Sequence, residues 1–459
     1  MALYGLSSLP VDEDVVDRIL TFCPTFGTLQ SAMLTSKSFY NVFATRPKSI
    51  TRSVAYNIVG PALPQAIRVL RFVKPDEPVN EYSDLLQSSW PETTDISASP
   101  ITANEKILLA KNAELVRRLE DIFSVRHKDR TSQTTQLSSM ESWRFRRAVY
   151  RNLHYCDVFE ASKYRPDHHG FHFDADFIRE MVAVRATMLQ DYPTEELYEL
   201  HAVVDFLREL VQWIHMNNLG LPHNYGDCGA SIGPAHVLSA FEDRSIDAIY
   251  QHVTFDNEEM SPILFNYYSA AFAAIWKCRD VKPPPSDTSR WKALLETIAG
   301  EHDTCARQGL SPGQTCSSHG LDLWCAANYE YLPGVDGGYR TISLNNCLPG
   351  HLPDNVNELL ALTELLFDSS FTYADLISEI FAIRTPEFHD WNEDDSYCSH
   401  HLKELISAHL YLWLYIKKVE GGWQPPENCW YGYECRTQTH RQAHRDSRNH
   451  LCVAERPTN

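Results

Sequence analysis

His401–Val419 reads HLKELISAHLYLWLYIKKV, and its periodicity decides the fold class. Leu402, Ile406, Leu410 and Trp413 recur at three- and four-residue spacing, which lines side chains along one face of an α-helix. Gly421 and Gly422 fall where that helix should stop, and Pro425-Pro426 follows. Beyond this boundary the character changes to a short, polar, Cys- and His-bearing tail, CWYGYECRTQTHRQAHRDSRNHLC over Cys429–Cys452.

Upstream, the same helical spacing returns in Asp174–Gln190, Pro193–His215, Ser261–Cys278, Asp287–Ala299 and Asp354–Phe367. Thr102 with Glu105 and Ser138 with Glu141 have the form of capping boxes, in which a hydroxyl and a carboxylate satisfy each other's orphan amides. Ser261-Pro262 places a cap before a proline at the first helical position, and Gly300 marks another helix end. Strand-like alternation is scarce, so the expected fold is all-α. Lys74–Asn104 holds Pro75, Pro78, Pro91 and Pro100 among Ser, Thr and acidic residues, the composition of a linker or long surface loop. The expected organisation is a helical segment at 1–73, a linker at 74–104, an all-helical body at 105–425 and a small tail domain at 426–459.

The 459 residues are 43% hydrophobic and 22% charged, an ordinary globular balance that excludes global disorder. With 41 Lys and Arg against 60 Asp and Glu, the net charge is −19, which opposes general DNA binding by the body. The tail is the exception: Cys429–Asn459 carries five Arg against three acids and is locally basic. No apolar run approaches the roughly 18 residues of a membrane span. The N-terminus lacks the basic region of a secretory signal. A nuclear or cytoplasmic location is expected, with the twelve cysteines as thiols or metal ligands rather than disulfides.

In the tail, Cys429 and Cys435 are separated by five residues, as are His444 and His450. Two thiolates and two imidazoles suit tetrahedral zinc. Gly432 lets the chain turn back toward the metal. So small a segment cannot bury a core of its own and needs a staple. The expected cofactor is one structural zinc on Cys429, Cys435, His444 and His450. His440 and Cys452 are spare candidates, and Cys452 could replace His450. Four protein ligands leave no position for an activated water, so the site reads as structural rather than catalytic.

The Cys-x-aromatic-Gly-x-x-Cys pattern of Cys429, Tyr431, Gly432 and Cys435, with Cys435-Arg436-Thr437-Gln438 and Asn449-His450-Leu451-Cys452, resembles the PBZ-type, poly(ADP-ribose)-binding zinc finger. A finger of this kind occurs in the checkpoint ubiquitin ligase with forkhead and RING domains. The resemblance implies binding of poly(ADP-ribose) or ADP-ribosylated proteins. Trp430, Tyr431 and Tyr433 would supply stacking faces, and Arg436 a fork for phosphate or adenine edges.

Residues 9–47 read LPVDEDVVDRILTFCPTFGTLQSAMLTSKSFYNVFATRP, a set of short amphipathic helices. Leu9-Pro10, Ile19-Leu20, Pro24, Leu29 and Phe39 resemble an F-box, and residues 105–160 resemble the helical part of fungal F-box proteins. The interval from Leu9-Pro10 to Ile19-Leu20 is longer than the family's usual one. The resemblance implies docking on the Skp-type adaptor of a cullin-RING ligase, with Leu9, Pro10, Ile19, Leu20, Leu29 and Phe39 facing the adaptor.

Cys305, Cys316, His319 and Cys325 cluster in sequence, at intervals that fit no defined ligand pattern. The chain has no P-loop, dinucleotide fingerprint, serine elbow or HExxH motif. The expectation is a non-catalytic substrate adaptor of a ubiquitin ligase. The alternatives are a binding protein whose finger alone is functional, and an enzyme concealed in the helical body.

Overall fold

The computed structural model describes residues 12–72, 92, 99–129, 132, 134–161, 175–216, 226–243, 245–253, 262–286, 288–298, 304–307, 323–326, 329, 344–366 and 372–455. These residues are mostly helical, as expected of an all-α chain. Among them the one sheet is a two-stranded antiparallel pairing.

The N-terminal helices are α1 (Glu13–Thr21), α2 (Phe26–Thr35), α3 (Lys37–Thr45) and α4 (Pro47–Val59). Each of the first three opens on a side-chain cap: Asp12 accepts from Asp14 N, Thr25 from Thr28 N and Ser36 from Phe39 N. Pro47 begins α4, where its missing N–H is not needed. Val16, Leu20, Leu29, Phe39, Val42, Ile50 and Val54 form one small core.

The second half of α4 turns to a different core. Ala55 and Val59 join α5 (Leu63–Arg71), α6 (Ala103–His127), α7 (Ser139–Val158), α8 (Ala175–Gln190), α9 (Thr194–Met216), α10 (Pro234–Glu242) and α11 (Ser269–Arg279) in the largest apolar cluster. The sequence places α5 with the N-terminal segment; its apolar face of Leu63, Ala66 and Ile67 packs instead with α6 and α7. Both expected capping boxes form, at Thr102/Glu105 and Ser138/Glu141. Within the expected linker, Glu92 is anchored: its carboxylate accepts from Arg151 at 2.8 and 2.9 Å, from Gln65 at 3.0 Å and from Arg68 at 3.3 Å.

Two expected helices differ. Ser261–Cys278 is broken into Pro262–Phe265 and α11, because Asp227 Oδ2 accepts from Ser269 N at 3.0 Å and Ser269 Oγ at 2.6 Å, starting a new helix there. Among the described residues of Asp287–Ala299, a 3₁₀-helix forms at Thr288–Ala293 in place of the expected α-helix and sinks Trp291 into the core beside Leu294 and Leu295.

The C-terminal part holds α12 (Val356–Leu366), α13 (Tyr373–Ala382) and α14 (Ser399–Glu420), the helix that realises the opening pattern. It buries Leu402, Leu405, Ile406, Leu410, Trp413 and Leu414, each worth about 1.5–3 kcal/mol against exposure. Strand β1 (Leu323–Trp324) pairs with β2 (Tyr397–Cys398), with Leu323 opposite Cys398. The tail, with α15 (Gln442–Ser447), is joined to this core by Leu451 and by Tyr433, whose carbonyl accepts from His351 N at 2.9 Å.

Candidate metal centre and recognition surface

The tail closes on itself before it meets the body. Cys429 N donates to Asn449 O at 2.8 Å, Asn449 N to Glu427 O at 3.1 Å and Tyr433 N to Cys452 O at 2.9 Å. The turn between the two cysteines requires Gly432. Its φ is +46°, and a Cβ there would overlap the Cys452 carbonyl oxygen and lie 2.8 Å from Val453 C.

These constraints bring Cys429, Cys435, His444 and His450 together, with one ligand atom from each within 4.8 Å of the others. His444 Nε2 lies 3.5 Å from Cys429 Sγ and 3.4 Å from Cys435 Sγ. The side chains are therefore positioned to hold a metal ion. His450 makes the strongest case. It is 1% exposed, and its buried ring nitrogens have no well-formed hydrogen bond, only a weak approach to the Arg448 backbone. Such a group costs about 1–3 kcal/mol unless something satisfies it. Burial, reinforced by neighbouring His444, pushes its pKa down to about 4, so the imidazole is neutral and its lone pair available. Burial also raises the Cys429 thiol, and the nearby Cys435 adds to that rise. A bound cation reverses this, because coordination deprotonates thiols outright.

Of the spare candidates, His440 is exposed, and Cys452 turns its thiol to the carbonyls of Asn449 and Cys429. Neither joins the cluster. Beside it, Trp430 (55% exposed), Tyr431 (50%) and Arg436 present their side chains to solvent. Tyr433, expected among the stacking faces, is half-buried and packs edge-on against Tyr411 at 5.3 Å, which removes it from that surface. Gln438, given no role of its own in the sequence, is fully buried: its Nε2 donates to Tyr433 O at 2.9 Å, and its Oε1 accepts from Asn355 Nδ2 at 2.8 Å. The tail is thereby docked on the segment leading into α12.

At the other end, Leu9 and Pro10 lie outside the described residues. Leu20, Leu29 and Phe39 do not face outward as expected: they are 0%, 2% and 8% exposed, packed among the N-terminal helices. Short amphipathic helices with no other core bury their largest side chains against one another. Ile19 is exposed, and Val15 and Phe22 extend it into an apolar stripe along α1.

The body offers a cavity of about 220 Å³ between α7 and α10, lined by Cys156, Asp157, Glu160 and His236 among others. Burial pushes the Cys156 thiol up to about 12, and it exchanges a hydrogen bond with Tyr268 Oη at 3.0 Å. Burial of this kind works against the thiolate that a nucleophile needs. Cys316 and His319 lie outside the described residues. No helix among those described is long and apolar enough to cross a membrane. Compared with models of protein families, with curated proteins and with solved structures, the chain finds no match.

Proposed function

We propose that this chain is a non-catalytic recognition subunit whose tail binds zinc and, through it, reads ADP-ribose polymer, while its N-terminal helices dock on a Skp-type adaptor of a cullin-RING ligase. The observation that carries the reading is the Cys429/Cys435/His444/His450 cluster with Trp430, Tyr431 and Arg436 exposed beside it. In tetrahedral zinc, Zn–S of about 2.3 Å and Zn–N of about 2.0 Å set S and N about 3.5 Å apart. The separations of 3.5 and 3.4 Å around His444 agree.

The metal holds the turn, and the exposed side chains do the binding. Aromatic faces stack on adenine at about 1–3 kcal/mol per base. Arg436 pairs with phosphate through its planar fork. Client and ubiquitin-charged enzyme are then brought together by proximity alone. The Val15–Ile19–Phe22 stripe supports the adaptor contact, because an apolar helix face left in solvent suits a protein groove. The burial of Leu20, Leu29 and Phe39 favours the second reading, in which the finger alone is functional.

Polymer capture by the full chain tests the proposal. Arg436→Ala with Tyr431→Ala should weaken capture by tenfold or more while the zinc content stays unchanged. Equal capture by the variant and the unaltered chain would refute the assigned surface. Copurification with the Skp adaptor, lost in Ile19→Asp with Phe22→Asp, separates the two readings.

A further inference from the structure

A second group of ligand-type side chains lies outside the tail and deep in the molecule. Cys305, Cys398 and His401 bring one ligand atom each within 4.8 Å of the others, and all three are buried. Their exposures are 2%, 1% and 2%. They come from separate elements. Cys398 ends β2 and caps α14 without making a side-chain cap bond. His401 follows in the first turn of that helix, in Cys-x-x-His spacing, so its ring reaches back over Cys398. Cys305 is held in place by its neighbour Ala306, whose N donates to Ser396 O at 2.8 Å. Cys398 N donates to Cys305 Sγ at 3.4 Å, holding that sulfur against the start of the helix.

The geometry around His401 is that of a shared centre. Its Nδ1 lies 3.2 Å from Cys305 Sγ and 3.2 Å from Cys398 Sγ. One ring nitrogen carries either a proton or a lone pair. With a proton it serves two sulfurs at equal distance, an unfavourable sharing. With a lone pair it converges with both sulfurs on one point between them. Zinc at that point sets each S···N separation at about 3.5 Å, close to what is found. The charge also balances: two thiolates and a divalent cation are neutral together, which deep burial demands. The N-terminus of α14 adds a favourable field for the Cys398 thiolate.

We propose that Cys305 Sγ, Cys398 Sγ and His401 Nδ1 form a second zinc site. Two soft sulfurs and an imidazole select zinc over magnesium or calcium, which take oxygen ligands. The ion ties the segment around Cys305, and through Leu323 opposite Cys398 the β1–β2 pairing, to the start of α14. Three protein ligands leave the fourth position to a donor outside this set. The site is independent of the tail and of what the tail binds.

Metal content of the full chain, counted by native mass spectrometry, tests it. The expected result is two zinc ions in the unaltered chain, one in Cys305→Ser, and one in Cys429→Ser with Cys435→Ser. A single ion in the unaltered chain that persists in Cys305→Ser overturns the proposal, and so do two ions in Cys305→Ser. The cobalt form of the Cys429→Ser/Cys435→Ser chain provides a reading with the second site intact. Both sulfurs of the tail cluster are then gone, and Cys452 turns its thiol to backbone carbonyls, so a thiolate-to-cobalt absorption band with two sulfurs reports Cys305 and Cys398. Its absence also overturns the proposal, whereas failure of the tail reading alone leaves the band in place.

Discussion

Gly432→Ala perturbs the tail without touching a ligand. At φ of +46° an L-residue costs about 1–2 kcal/mol in backbone conformation alone. The added methyl overlaps the Cys452 carbonyl oxygen and comes within 2.8 Å of Val453 C and 2.9 Å of Ala454 N. All of these are backbone atoms, so no side-chain rotation relieves them. The Cys452–Glu455 segment must move away, which strains Tyr433 N→Cys452 O (2.9 Å) and Glu455 N→Trp430 O (3.0 Å). Each bond is worth about 1 kcal/mol net, for a total of about 3–4 kcal/mol. If metal binding and closure of the turn are one process, that cost appears as a loss of metal affinity of about 100-fold or more. Titration of the full chain with a zinc chelator measures it: one release step should move to lower chelator concentration. Gly421→Ala is the control, since its φ is −73° and the nearest non-adjacent atom, Lys417 O, stands 3.4 Å from the added Cβ. A Gly432→Ala chain that keeps its metal as tightly as the control would refute the reasoning.

Three further outcomes are expected. Glu92→Gln should lower unfolding free energy by about 1–2 kcal/mol in urea titration, because Arg151, only 5% exposed, keeps Glu196 but loses the second of its two paired carboxylates. Burial, reinforced by Arg68, pushes His154 down to about 3, so its neutral form is the folded one. Its contribution is whole above the unfolded value of about 6.5 and is lost as pH falls below it, about 1 kcal/mol by pH 5.5. Melting at pH 7.5 and 5.5 should show this loss, and His154→Leu should reduce it. Leu20→Ala should destabilise the N-terminal helices by about 2–4 kcal/mol, whereas Ile19→Ala and Phe22→Ala should leave melting nearly unchanged.

The sequence carried what is local. The four tail ligands lie within 22 residues of one another, and their spacing alone indicates a shared metal. Both capping boxes and the apolar face of α14 are likewise written in neighbouring residues. What failed depends on distant partners. Periodicity marks Leu20, Leu29 and Phe39 as one apolar face but does not say what covers it, and they cover one another. Ser261–Cys278 reads as one helix until Asp227, far upstream, caps its second half. Tyr433 reads as an exposed ring until Tyr411 of α14 meets it. Cys305 stands 96 residues from His401, and no local pattern joins them.

The central claim is a metal-organised surface that meets a polyanion, and polymer binding by the full chain before and after chelation tests it most directly. The account predicts binding that weakens with added salt, disappears when zinc is removed and returns when zinc is restored. Binding that is indifferent to chelation, or no binding by the zinc-loaded chain at low salt, would contradict it.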